Sequence, residues 1–178
     1  MPSRGLFIGR FQPPHLGHLE TIKHILKEKD ELIIAVAAAQ LSHTSKNPLT
    51  AGERLTLIRT MLTNNGVASD RYWLIPMQDI LDNALWVHHV KRLVPRFDTF
   101  YGNNPFTKLL FTEAGFETKE TGIVKRDLYE GTTIRKQIMN NEDVSKSLDA
   151  KVNELIQKWN IAQRLRASDT ENPVKDLI

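Results

Sequence analysis

A chain of 178 residues with formal charge +3, 40% hydrophobic and 25% charged, has the make-up of one globular domain able to bury a core. It contains no cysteine, which excludes disulfides, thiolate nucleophiles and cysteine-bound zinc. No apolar run approaches the roughly 18 residues of a bilayer span, and the opening Met1-Pro2-Ser3-Arg4-Gly5 lacks a signal-peptide core, so a cytoplasmic protein without membrane contact is expected.

In chain order, Leu6-Phe7-Ile8 reads as a short buried strand, and Leu19, Ile22, Ile25 and Leu26 recur at helical spacing as far as about residue 29. Leu32-Ile33-Ile34-Ala35-Val36-Ala37 is a continuous apolar run, the pattern of a parallel strand covered on both faces. After a polar loop over residues 40–48, Thr50 with Glu53 forms a capping box for a helix carrying Leu55, Ile58, Met61 and Leu62. Tyr72-Trp73-Leu74-Ile75 predicts a third strand, Asp82 or Asn83 opens a helix through Val94, and residues 97–101 predict a fourth strand. Asn104 caps a helix with Pro105 in its first turn, and a fifth strand is expected between Phe116 and Val124. Thr132 or Thr133 is expected to cap a helix to about residue 140, one amphipathic helix to cover residues 145–165, and residues 168–178 to form a tail after a domain of residues 1–167.

Alternating strands and helices predict an α/β fold, a single doubly wound parallel sheet of about five strands with helices on both faces. Ligands of such sheets bind beyond the strand carboxyl ends. Arg10, His15, His18, Lys46, Asp79, Trp86 and Asn103 all follow a predicted strand.

The chemistry concentrates in two places. His15-Leu16-Gly17-His18 stands where the first strand passes into a helix, and helix N-termini favour phosphate. Gly17 is expected to let backbone approach a phosphate closely, because it has no Cβ. Tyr129-Glu130-Gly131-Thr132-Thr133-Ile134-Arg135-Lys136 places amides and hydroxyls at another helix start, with a guanidinium one turn on. Glu53 and Arg54 read as a structural ion pair, and Trp73 and Trp159 as core or helix-packing residues.

The first motif resembles the H-x-G-H signature of the nucleotidylyltransferase superfamily, and the second resembles its phosphate-binding partner. Gly9-Arg10-Phe11-Gln12-Pro13-Pro14-His15, Pro48-Leu49-Thr50-Ala51-Gly52-Glu53-Arg54, Asp79 with Asn83-Ala84-Leu85-Trp86, and Gly102-Asn103-Asn104-Pro105 are similar to the archaeal-type nicotinamide-mononucleotide adenylyltransferases. The resemblance implies AMP transfer from ATP to nicotinamide mononucleotide, giving NAD and pyrophosphate. It implies Mg²⁺ carried by ATP phosphates and water rather than by a protein metal site, and a homo-oligomer. The alternative is another adenylyltransferase with the same motif, acting on pantetheine phosphate or FMN; no predicted helix shows a strong basic face with aromatic interleaving, so no nucleic-acid partner is expected. Arg10, His15, His18 and Arg135 are the implied catalytic, triphosphate-binding residues. Gly9, Gly17, Lys46, Tyr129, Thr132 and Thr133 are implied to surround the phosphates, Trp86 with Asp79 and Asn83 the nicotinamide, and Gly102 and Asn103 the adenosine. Lys46 replaces an expected arginine, and residues 123–125 lack an aromatic expected near the nicotinamide.

Overall fold

The computed structural model describes residues 2–122 and 129–170. Five parallel strands are β1 (Arg4–Gly9), β2 (Glu31–Val36), β3 (Tyr72–Pro76), β4 (Thr99–Tyr101) and β5 (Glu117–Lys119), in spatial order β3-β2-β1-β4-β5. Leu6 pairs with Ile33 on one side and Phe100 on the other, so β1 is central and strand order reverses between β1 and β4. The predicted doubly wound sheet is the observed one.

The helices are α1 (Leu16–Glu28), α2 (Ala51–Asn64), α3 (Asn83–Leu93), α4 (Pro105–Glu113), α5 (Gly131–Met139), α6 (Ala150–Lys158) and α7 (Ile161–Thr170). Side chains alternate across the strands, so each face of the sheet acquires its own core. Phe7, Leu32, Ile34 and Val36 pack with Ile22 and Ile25 of α1, Leu57 and Met61 of α2, and residues of α5, α6 and α7. Leu6, Ile33 and Ala35 pack with Val87 and Val90 of α3 and Phe111 of α4. No helix among the described residues is long and apolar enough to cross a membrane.

Several expectations need correction. The single helix over residues 145–165 is two, because Asn160 turns left-handed (φ 52°) and Asp149 caps α6 through the amides of Lys151 and Val152. α7 continues past residue 167 to Thr170. The N-cap of α5 is Glu130 rather than a threonine. Trp73 lies on the edge strand, 47% exposed, donating its indole N–H to Glu31 at 2.7 Å. Glu53 pairs with Arg164 of α7 at 2.7 Å rather than with Arg54. The far end of the expected fifth strand, residues 123–125 and residues 171–178 lie outside the described residues.

Candidate active site

α1 is capped by its own histidines. His15 is the N-cap; its Nδ1 accepts from the His18 amide at 3.3 Å, while His18 Nδ1 accepts from the His15 amide at 3.2 Å. Since Nδ1 accepts in each ring, the proton of each neutral imidazole resides on Nε2. The rings stack with centroids 3.6 Å apart, and Phe11 backs His18 at 4.5 Å. Burial pushes the His15 pKa down to about 4; burial and then the neighbouring His15 push His18 well below 6.5. The motif therefore offers two neutral Nε2–H donors.

Two amides of the first turn of α1 are already engaged, Leu16 by the Ser147 carbonyl at 2.9 Å and His18 by His15. The expected space in front of Gly17 is filled: a Cβ there would come within 2.8 Å of the Tyr129 ring. Tyr129 lies parallel to His15 at 5.9 Å and donates its hydroxyl to Glu20 at 3.2 Å. Gly17 thus admits an aromatic ring. The N-terminus of α5, by contrast, has no side-chain cap among the described residues.

Beyond the strand ends lies a cavity of about 750 Å³ lined by Gly9, Arg10, His18, Asp79, Asn83, Trp86, Gly102 and Asn103. Trp86 is half-buried and packs edge-on against Phe111 at 5.7 Å, leaving it on the cavity wall. Asn103 Oδ1 accepts the Thr121 amide at 2.9 Å, which fixes the orientation of its side-chain amide. Gln40 holds Asp79 by both backbone groups, at 3.2 and 3.3 Å.

A second, smaller cavity of about 230 Å³ is lined by Lys46, Thr132, Arg135 and Lys136. Arg135 joins the two motifs: it donates to the Gln12 carbonyl at 3.0 Å, to the Ser45 carbonyl at 3.1 Å and to the Thr132 hydroxyl at 3.2 Å. Burial, and then the charge of Arg10, lower its pKa. The structure thus gathers eight predicted residues in one cavity and Lys46, Thr132 and Arg135 in the other; His15, Gly17, Tyr129 and Thr133 line neither. Thr133 instead donates its exposed hydroxyl to Glu130 at 3.3 Å.

Sequence reasoning missed Gln12 and gave Arg54 the wrong partner. The buried Gln12 side chain bonds both backbone groups of Leu49 at 2.9 Å, tying the β1–α1 loop to the β2–α2 loop. Arg54 is fully buried and donates to the carbonyls of Arg10, Ala37, Ala38 and Thr50. An amide wedged among Phe11, Pro13 and Pro14 was the available signal for the first. None marked the second.

A parallel sheet with a histidine-capped helix at its switch point and cationic groups lining two cavities defines a class. The cytidylyltransferase-like family profile matches residues 6–146, and the chain belongs to that family. It is 42% identical over 167 residues to the nicotinamide-nucleotide adenylyltransferase of Thermoplasma volcanium, covering 94% of this chain and 93% of the relative. It is 43% identical over 166 residues to that of Archaeoglobus fulgidus, covering 92% and 95%. Within the class, the chain is a member of the nicotinamide-nucleotide adenylyltransferases, which are nucleotidyltransferase enzymes. A solved bifunctional NMN adenylyltransferase/ADP ribose pyrophosphatase of Francisella tularensis, complexed with AMP and a manganese ion, shares the fold at TM-score 0.83 and 22% identity, over 97% of this chain and 53% of that one.

Proposed function

We propose that the chain transfers AMP from ATP to nicotinamide mononucleotide, releasing pyrophosphate and forming NAD. The observation that carries this reading is a pair of cavities, one with an aromatic wall and the other cationic, whose arginines Arg10 and Arg135 stand close enough for the charge of the first to lower the pKa of the second. The larger takes the mononucleotide against Trp86 and the adenosine near Gly102 and Asn103; the smaller takes the β- and γ-phosphates.

The 5′-phosphate oxygen of the mononucleotide attacks the α-phosphorus as the bond to the bridging oxygen of pyrophosphate breaks. The nucleophile is already anionic, so no side chain need remove a proton. His18 donates Nε2–H to the α-phosphate oxygens as their charge redistributes, and Arg10 and Lys46 neutralise the chain of phosphates. Arg135 and the first amides of α5 hold the departing pyrophosphate. Mg²⁺ enters with the substrate as the ATP complex, its hard-oxygen ligands being phosphate oxygens and water.

The reading includes a homo-oligomer, supported by exposed Leu85 and Leu93 on α3 and Phe106 and Leu109 on α4. An acceptor panel with ATP and Mg²⁺, read by pyrophosphate release, tests the function: nicotinamide mononucleotide supports turnover. Preference for pantetheine phosphate or FMN overturns the acceptor assignment.

A further inference from the structure

Arg54 is among the largest fully buried side chains, yet it makes no ion pair among the described residues; its neighbour Glu53 is taken by Arg164. Its partners are backbone carbonyls alone: Ala37 at 2.7 Å, Arg10 at 2.9 Å, Ala38 at 3.1 Å and Thr50 at 3.2 Å. Carbonyl dipoles solvate a guanidinium, but they leave its net charge in place, and an uncompensated buried charge is costly. Burial depresses the Arg54 pKa, and the carboxylate whose field opposes this is Asp79, exposed on the larger cavity.

The gathered carbonyls belong to the loops that follow β1 and β2. Both loops contain a residue forced left-handed despite its Cβ, Phe11 at φ 51° and Ala38 at φ 50°. Each such residue is strained and persists where its surroundings hold it. Arg54 holds both. It grips the carbonyl just before Phe11 and that of Ala38 itself, and the same loops bring Arg10 and Ala37 to the cavity.

We propose that Arg54 is a positioning residue for the triphosphate: it fixes the two phosphate-side loops and leaves beneath them a buried positive charge that a bound polyphosphate compensates. This rests on the adenylyl-transfer reading and adds a residue that never touches substrate. A lysine in the same slot keeps the charge and part of the carbonyl grip; a methionine keeps only the volume.

The test is calorimetric titration of the full chain with inorganic tripolyphosphate, paired with steady-state kinetics, for wild type, Arg54→Lys and Arg54→Met. Tripolyphosphate affinity should fall about tenfold or more in Arg54→Met and stay within about threefold in Arg54→Lys, with KM for ATP following and KM for nicotinamide mononucleotide nearly unchanged. Wild-type affinity in Arg54→Met, or a KM increase shared by both substrates, overturns the proposal. Should Arg54→Met fail to fold, Arg54→Lys decides: retained affinity supports the proposal, and loss with an unchanged melting curve overturns it. Wild-type protein that ignores tripolyphosphate removes the ATP reading itself, a result distinct from variants that match wild type.

Discussion

His15 and His18 cap α1 with one side of each ring, and the proposed reaction uses the other side of His18. Each Nδ1 caps α1, which leaves each Nε2–H as a donor of fixed tautomer. His18→Ala removes one such donor and should lower kcat about 10²–10³-fold, measured at saturating ATP and acceptor; turnover near wild type contradicts its role. Burial also makes these rings acid-sensitive. His15 is held down to about 4 in the folded chain against an ordinary 6.5, so between those values only the unfolded chain binds the proton. Stability is intact above about pH 6.5 and falls by up to about 1.4 kcal/mol per pH unit as pH drops toward 4, with His18 adding in the same direction. Urea midpoints measured from pH 7 to 4.5 should decline, and His15→Asn should flatten that decline; an unaltered slope contradicts the assignment. Trp86→Ala should raise KM for the mononucleotide by about 1–3 kcal/mol equivalent and leave KM for ATP in place. An equal rise for ATP contradicts stacking on the acceptor.

The elements carry the site because their ends are pinned. Gly17 in the first turn of α1 lies against Tyr129, which precedes α5, so the two motifs touch through a glycine and an aromatic ring. Gly17→Ala pushes a methyl onto the Cβ–Cγ stem of that tyrosine, an overpacking that should destabilise by about 1–3 kcal/mol. Adding Tyr129→Ala should recover much of that loss in a double-mutant cycle; strict additivity contradicts the contact. Elements with a periodic apolar face were legible in the sequence. The Thr50–Glu53 capping box and the stops at Val94 and Glu113 were readable because cap chemistry is local. The break at Asn160 was not, since an asparagine in a helical pattern is ambiguous until Ile161 and Leu165 find their place in the core. Nor was the cap of α5, where Glu130 stands immediately before the two threonines that looked like caps.

At the scale of the molecule, the site is a product of strand order. β1 and β4 are neighbours that run to opposite halves of the sheet, so His18 after β1 and Asn103 after β4 share one cavity. Arg135 closes the second half by reaching the Gln12 carbonyl, 123 residues away in the chain. Alternating strand and helix patterns made the topology legible, and motif chemistry marked Arg10, His18, Trp86 and Arg135. The supports were hidden: Gln12 and Arg54 act on backbone groups of loops that only the folded sheet brings together. The central claim is that the α-phosphate of ATP ends up joined to nicotinamide mononucleotide at this junction. Incubation with ATP labelled at the α-phosphate, Mg²⁺ and the mononucleotide tests it directly. The label should move into NAD in step with unlabelled pyrophosphate; label that stays in ATP, or appears as ADP or AMP without NAD, contradicts the account.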